Sequence, residues 1–386
     1  MGQLRIPAVF MRGGTSKAII FHRKDLPEDQ ARWDHIFLAA MGTPDPHGRQ
    51  LDGMGGGISS LSKVCIIGPS SRPDADVDYT FAQIGVTKTM VDYSANCGNM
   101  SSAIGPFSMD EGLVARPDGQ DGVVRIHNTN TRKIIVSRFK LDNGEAAVTG
   151  DMTLDGVSGT GSPIRLEFMD PGGAGTGHLL PTGNACDELD VPGLGKIPAS
   201  MVDSSNPCVF VPAEALGCTG GEMPGDLEQN ADLLDRLERI RCAASVAMGI
   251  APNLEKAAAI PSIPKVAMVA PPAKAGTLSG RVLAPEEMDI QVRMISVGQP
   301  HRAVPLTGAL CLAVGVRIPG SIPQAMAGGG VPADRSIRIA QPSGFTVVDA
   351  KLAAGSNEIR AEYAAVYRTA RRLFEGYVRC RPPSAG

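Results

Sequence analysis

The stretch that decides the fold is Val91-Asp-Tyr-Ser-Ala-Asn-Cys97-Gly-Asn-Met-Ser-Ser-Ala-Ile-Gly-Pro-Phe-Ser-Met-Asp110. A strand-like run ends at Tyr93, and the small, apolar residues after Asn99 indicate the start of a buried helix. We therefore expect Cys97 at the N-terminus of a helix. The free N–H groups and partial positive charge at such an end bind anions and favour thiolates. The stretch predicts a carboxylate-binding helix end with a proton-transferring thiol.

Cys97 also has a purely structural interpretation, because cysteines are more often small buried hydrophobes than catalysts. Asn96, Gly98 and Asn99 around it favour the functional interpretation, since they mark a helix entry with accessible backbone. The other seven cysteines, at positions 65, 186, 208, 218, 242, 311 and 380, lack such a setting.

Length and composition narrow the class of protein. A chain of 386 residues predicts two domains, and 43% hydrophobic residues with 46 glycines and 30 prolines indicate a turn-rich globular protein. A net charge of -3 without a basic block argues against nucleic acid or membrane as a partner. The start of the chain lacks the apolar core of a signal peptide, so we expect a cytoplasmic protein. The scattered cysteines and histidines predict no metal site.

Two glycine-rich turns are further candidates for the site. Strands predicted at residues 6–11 and 17–21 are joined by Arg12-Gly-Gly-Thr15-Ser16, where the backbone and Arg12 could contact an anion; the alternative is a solvated surface charge. Residues 51–63 are glycine-rich without the phosphate-loop spacing, and the buried strand predicted after them starts at Val64. Lys63 at the mouth of that strand is a candidate base, although most lysines are solvated.

The spacing Ser60-Leu-Ser-Lys63, with Ser94-Ala-Asn96 and Lys274-Ala-Gly276, imitates the acyl enzymes that bind penicillin. That chemistry needs the serine and the lysine one turn apart on a helix, whereas the residues after Lys63 are typical of a strand. We therefore treat the match as a chance one.

The rest of the chain predicts an α+β fold in which many short strands surround apolar helices. The second half repeats the pattern of the first, with an amphipathic helix over 231–248 capped by Asn230 and a second small-residue apolar helix over 309–314. His301 and residues 305–308 precede that second helix. The last segment, residues 368–376, is predicted to be a short basic helix.

Several ordered motifs resemble the PrpF family, which includes isomerases of 2-methylaconitate, 4-oxalomesaconate and methylitaconate. They span nearly the whole chain and are Met11-Arg-Gly-Gly-Thr-Ser-Lys17, residues 50–57, Ser62-Lys63, Asp76-Val-Asp-Tyr79, Asn96-Cys-Gly-Asn99 and Leu180-Pro-Thr-Gly-Asn184. The resemblance implies a diaminopimelate-epimerase-like fold: two pseudo-symmetric domains, each a mixed β-barrel around a central helix, with the active site between them. We place the domains at residues 1–184 and 185–367, with residues 368–386 packing back on the first.

The resemblance also implies the chemistry. Where the epimerase carries its second thiol, this chain has Pro305-Leu-Thr-Gly308, and proline cannot serve as an acid or a base. Amino-acid epimerisation therefore loses support, and the family implies that Lys63 and Cys97 move a proton in an unsaturated polycarboxylate. The sequence leaves open which of the two is the acid and which the base.

We expect no cofactor, no metal, a small polycarboxylate substrate and possible assembly into a homodimer. A non-catalytic, metabolite-binding partner of a dehydratase and a cofactor-independent racemase remain as alternatives. The residues expected to bind substrate are Arg12, Thr15, Ser16, Ser62, Gly98, Asn99, Met100, Thr182, Asn184, Asn206, Lys265, His301, Thr307 and Gly308.

Overall fold

The computed structural model describes residues 3–94, 96–354 and 359–381. The chain forms two compact units: Met1–Glu167 with Tyr367–Gly386, and Phe168–Val366. The sequence predicts a boundary after residue 184, whereas residues 168–184 belong to the second unit. Residues 382–386 of the predicted C-terminal segment lie outside the described residues.

Strands outnumber helices in both units. In chain order the strands are β1 (Leu4–Gly13), β2 (Ser16–His22), β3 (Lys63–Pro69), β4 (Val77–Ile84), β5 (Val91–Asp92), β6 (Asp121–Asn128), β7 (Lys133–Asp142), β8 (Glu145–Ala146), β9 (Met152–Leu154), β10 (Val157–Gly161), β11 (Ile164–Met169), β12 (Asp187–Val191), β13 (Gly195–Ser204), β14 (Asn206–Pro212), β15 (Lys265–Ala270), β16 (Ala275–Gly276), β17 (Val282–Leu283), β18 (Ile290–Ser296), β19 (Gln299–Pro300), β20 (Ile337–Gln341), β21 (Gly344–Leu352), β22 (Ala361–Arg368) and β23 (Ala370–Cys380). The α-helices are α1 (Trp33–Met41), α2 (Gly98–Asp110), α3 (Pro224–Gln229), α4 (Ala231–Ala247), α5 (Leu254–Ala258), α6 (Leu306–Arg317) and α7 (Ile322–Met326).

The strands pair in the same order in both units. In the first unit β1–β2, β3–β4 and β6–β7 are antiparallel, while β2–β3 and β4–β6 are parallel. In the second unit β13–β14, β15–β18 and β20–β21 are antiparallel, while β14–β15 and β18–β20 are parallel. A parallel pair needs a crossover, and α2 and α6 lie in the crossovers of β4–β6 and β18–β20. The predicted α+β fold and its repeat in the second half are confirmed.

The two crossover helices are the centres of their units. Every residue of α2 from Met100 to Met109 is buried, and the helix packs on β1, β6 and β7. Every residue of α6 from Gly308 to Val316 is buried, and it packs on β13, β14 and β21. Both helices are rich in small residues because side chains of the surrounding strands pack directly against them. A Cβ on Gly105 of α2 would collide with Ser137, and one on Gly308 of α6 would collide with Met294.

An aspartate and an arginine clamp each of the two parallel pairs beside these helices. Asp76 donates its N–H to Arg125 O at 2.7 Å, and Arg125 N–H returns a bond to Asp76 Oδ2 at 2.7 Å. Asp289 and Arg338 repeat both bonds at 2.8 Å, and in each clamp the partners are 49 residues apart. The guanidinium also pairs with the carboxylate, at 2.9 Å in the first clamp and 3.0 Å in the second. The clamps fix where each crossover begins and ends.

Asp289→Asn is expected to lower the free energy of unfolding at pH 7 by about 2 kcal/mol, because it removes the charge of a buried carboxylate that binds two partly exposed arginines. Asp289 is 7% exposed and also binds Arg335. Burial raises the pKa of Asp289, but bonds from Arg338 and Arg335 outweigh it and hold the pKa below its usual value. The carboxylate therefore stabilises the fold above the unfolded pKa of about 4, and that contribution is lost as the pH falls through the folded pKa.

Urea unfolding at pH 7 and at several lower pH values measures both effects, because the difference between Asp289→Asn and the parent must shrink in acid. The matched control is Asp76→Asn, whose ion pair is more exposed, with side-chain exposures of 26% for Asp76 and 55% for Arg125. Its cost should be about 1 kcal/mol or less. Equal costs for the two variants would contradict the burial argument.

The predicted helix over residues 368–376 is wrong. Ala370–Cys380 forms β23, which pairs antiparallel with β1 from Leu4↔Cys380 to Gly13↔Ala370. Pairing along the whole of β1 satisfies the backbone of this segment, and such long-range pairing overrides a local pattern. By contrast, the helix predicted over residues 231–248 is confirmed as α4, and the Asn230 side chain accepts a bond from Leu233 N–H.

Among the described residues, every helix is too short or too polar to span a lipid bilayer.

Candidate active site

Lys63 opens β3 with its side chain turned into the first unit. The residue is 7% exposed, and its Nζ donates to Gln83 Oε1 at 2.5 Å, directly across the β3–β4 pair. The amine also lies 5.0 Å from the centroid of the Phe81 ring. Among the described residues no carboxylate forms an ion pair with Lys63. The site thus orients the amine through a neutral carbonyl and a ring.

Gln83 is held so that its carbonyl must face the lysine. Its Nε2 donates to Ser62 O at 2.9 Å and to Ser59 O at 3.0 Å, which leaves Oε1 for Lys63. Ser62, expected to bind substrate, is fully buried, and its hydroxyl donates to Gln50 Oε1 at 2.5 Å. The hydroxyl of Ser62 therefore supports the loop before Lys63. Sequence analysis missed Gln83, because only the strand register brings it opposite Lys63.

Cys97 is the N-cap residue of α2, as the sequence predicts. Its side chain accepts no capping bond from the described residues, and the first helical bond runs from Ser101 N–H to Cys97 O at 2.9 Å. The N–H groups of Gly98, Asn99 and Met100 therefore have no acceptor among the described residues. Cys97 itself is partly exposed. An open helix end with a thiol on it is suited to an anionic ligand.

Lys63 and Cys97 both lie near one buried thiol, that of Cys65 on β3. Burial raises the pKa of Cys65, the charge of Cys97 raises it further, and the charge of Lys63 opposes the rise. The Cys65 thiol also contacts the Tyr79 hydroxyl at 3.8 Å. Asn128 Nδ2 donates to Tyr79 O at 3.3 Å and to Asn96 Oδ1 at 3.4 Å, so hydrogen bonds link the residue before Cys97 to the tyrosine that contacts Cys65.

The β1–β2 hairpin covers the same helix end. Thr15 Oγ1 accepts a bond from Asn99 Nδ2 at 3.1 Å, and a Cβ on Gly14 would collide with the Asn99 side chain. Gly14 has φ +52°, a conformation that also favours glycine. Ser16, at the end of the turn, is buried. The predicted anion-binding turn and the thiol segment therefore meet.

Arg12 braces this hairpin. Its Nη1 donates to Gly14 O and to Thr369 O, both at 2.9 Å. Burial and the charge of Arg371 lower the pKa of Arg12. The guanidinium thus has a structural task in addition to any contact with a ligand.

The second unit holds a lysine in the corresponding place. Lys265 opens β15 as Lys63 opens β3, and its Nζ lies 3.5 Å from Ser296 Oγ on the neighbouring β18. Burial and the charge of Lys265 lower the pKa of His301. The Nε2 atom of His301 is buried without a partner among the described residues. A neutral imidazole with an unused nitrogen therefore lies beside an amine.

The end of α6 in the second unit is also open. Pro305 is its N-cap, and the N–H groups of Leu306, Thr307 and Gly308 have no acceptor among the described residues. Asn206 Oδ1, at the β13–β14 turn, is buried and has no hydrogen-bond partner among the residues that the structure describes. The Cys311 thiol of α6 donates to Val202 O at 3.3 Å, so this hairpin lies against the helix. Unpartnered buried polar atoms commonly mark a site for water or a ligand.

Two predicted site residues have other partners. Thr182 Oγ1 donates to Asp187 Oδ2 and Asn184 Nδ2 to Asp187 Oδ1, both at 2.7 Å. These bonds shape the turn before β12.

The geometry of the acyl enzymes, with the serine and the lysine one turn apart on a helix, is not found here. Ser60 lies in a single 3₁₀ turn and Lys63 on a strand.

A family model, relatives of known name and a solved structure all match this chain over nearly its whole length. The model of the PrpF protein family matches residues 3–381. The chain is 41% identical to a 3-methylitaconate isomerase of Eubacterium barkeri, with 97% of each chain covered. It is 40% identical to a 2-methyl-aconitate isomerase of Cupriavidus necator, with 98% of this chain and 97% of the relative covered. A solved methylitaconate-delta-isomerase structure matches with a TM-score of 0.93 at 40% identity, over 100% of this chain and 99% of that one.

Proposed function

The chain belongs to the PrpF family, and from that premise we propose that it is an isomerase which moves an allylic proton in a small unsaturated di- or tricarboxylate. Candidate substrates are 2-methylaconitate, methylitaconate and 4-oxalomesaconate. The observation that carries the proposal is the open N-terminus of α2, which bears Cys97 in the same unit as the enclosed amine of Lys63.

Lys63 is the base in this proposal. Its neutral amine takes the allylic proton, so the C–H bond breaks and its electron pair enters a dienolate. Cys97 gives its S–H proton to the distal carbon, and the double bond shifts by one position. The lysine ammonium then returns a proton to the thiolate, directly or through solvent, which restores both groups. General acid–base catalysis of this kind contributes about 10²- to 10⁴-fold to a rate.

The dienolate places negative charge on a carboxylate, and the open end of α2 is suited to stabilise it. The N–H groups of Gly98, Asn99 and Met100 point along the helix axis without acceptors among the described residues. In the second unit we propose a further anion-binding end at α6, where Lys265 adds a charge and His301 a neutral imidazole. The other proposed substrate contacts are Arg12, Thr15, Ser16, Asn206, Thr307 and Gly308.

Proton NMR in deuterated water tests the proposal with purified protein and each candidate substrate in turn, aconitate included. We expect isomerisation of at least one polycarboxylate, with deuterium incorporated at the allylic carbon. Binding without turnover or exchange would favour the alternative of a metabolite-binding protein. Exchange at the α-carbon of an amino acid would favour a racemase instead.

A further inference from the structure

Arg368 is a cation fixed beside the open end of α2, and sequence analysis gave it no role. It is the last residue of β22 and is partly buried. Its Nε donates to Asn99 Oδ1 at 3.2 Å, and its Nη1 to Tyr367 O at 2.8 Å. Asn99 is the second residue of α2, so the guanidinium lies over the first turn of that helix.

The charge of Arg368 has no counter-ion in the described structure. No carboxylate of the described residues forms an ion pair with it, and both N–H groups of Nη2 have no acceptor among those residues. Burial lowers the pKa of Arg368 to about 10, so the guanidinium is still charged at neutral pH. A cation beside the positive end of a helix is unfavourable unless an anion joins them.

Asn99 determines which part of the guanidinium stays available. Its Oδ1 takes the Nε proton of Arg368, while its Nδ2 donates to Thr15 Oγ1 at 3.1 Å. The amide is thereby held from both sides and fixes the Nε edge of the guanidinium, while the Nη2 N–H groups keep no acceptor among the described residues. A planar guanidinium prearranged in this way matches a carboxylate.

We infer that Arg368 binds one carboxylate of the substrate together with the first N–H groups of α2, and so selects polycarboxylates. This inference rests on the proposed function, because it concerns the same end of α2. The competing explanation is a structural one, in which Arg368 only braces Asn99 and the backbone at Tyr367.

Tricarballylate separates these explanations, since it is a saturated tricarboxylate that cannot undergo an allylic shift. Calorimetric titration of the full chain should give a Kd roughly ten- to a hundredfold higher for Arg368→Gln than for the parent, the usual effect of losing a charge-assisted bond. Arg368→Lys keeps the charge without the planar fork, so its Kd should lie between the two. With an active substrate, Arg368→Gln should raise KM more than it lowers kcat.

The matched control is Arg379→Gln, which makes the same change at an exposed arginine of β23. Its Kd should stay within twofold of the parent. A folded Arg368→Gln variant whose Kd equals that of the parent would overturn the inference. Should that variant unfold, Arg368→Lys takes its place, and a Kd equal to that of the parent at every salt concentration would overturn the inference. Parent protein that binds tricarballylate through Arg368 but isomerises nothing would refute the proposed function and leave the carboxylate site standing.

Discussion

Lys63→Met is expected to abolish exchange of the allylic proton with deuterated water, with a loss of at least about 10³-fold in kcat. Methionine keeps the length and apolar stem of lysine but has no amine to accept a proton. The loss should fall on kcat, because Lys63 lies against Gln83 and Phe81 and its amine makes no ion pair among the described residues. NMR exchange and isomerisation rates measure it.

Lys63→Arg sharpens the test, because a guanidinium keeps a donor for Gln83 but cannot act as a base at neutral pH. It should be as inactive as Lys63→Met. The control is Lys17→Met in the same unit, where the amine also lies near a ring, 5.6 Å from the centroid of Phe10. Lys17→Met should exchange normally. Retained exchange in either Lys63 variant would remove Lys63 from the mechanism.

The parts of the site that lie on a single segment could be predicted from the sequence. The small residues after Asn99 indicate a buried helix, and α2 begins one residue after Cys97 as expected. The glycine-rich loop before Val64 likewise places Lys63 at the start of a strand. Local signals of this kind depend on neighbouring residues alone, so one sequence is enough to find them.

The parts that depend on pairing between distant segments could not be predicted. Gln83 meets Lys63 only through the β3–β4 register, and Arg368 meets Asn99 across 269 residues. The basic residues after Arg368 resemble a helix until their pairing with β1 is known. A cation without a counter-ion among the described residues, such as Arg368, can be recognised only once the fold shows which residues surround it.

One long-range signal was present in the sequence. The aspartate–arginine clamps of the two units have the same spacing of 49 residues, Asp76 with Arg125 and Asp289 with Arg338. Superposing the two aspartate–arginine pairs along the sequence aligns the first half of the chain with the second half. That alignment would also have matched Gln83 with Ser296, residues that lie opposite Lys63 and Lys265 in their units.

Substitutions of Cys97 are expected to change activity and stability in opposite directions. Cys97→Ser should lower kcat about 10²- to 10³-fold, because a hydroxyl is a much weaker acid than a thiol. The same change should raise the free energy of unfolding by about 1 kcal/mol, since serine is among the preferred N-cap residues. Cys97 has the extended N-cap conformation (φ -106°, ψ 98°) but makes no side-chain capping bond, so the serine hydroxyl would gain one.

Cys97→Ala separates the two effects, because it removes the thiol without adding a cap. Its kcat should fall as far as that of Cys97→Ser. Its free energy of unfolding, measured with urea or by heating, should not rise above that of the parent. Cys186→Ser, at an exposed cysteine, is the control for general effects of removing a thiol and should retain activity. The serine cap also competes for the N–H groups that we assign to a carboxylate, so Cys97→Ser should bind tricarballylate more weakly than Cys97→Ala. Equal binding by the two variants would show that the ligand does not use the end of α2, and full turnover in both would exclude Cys97 as the acid.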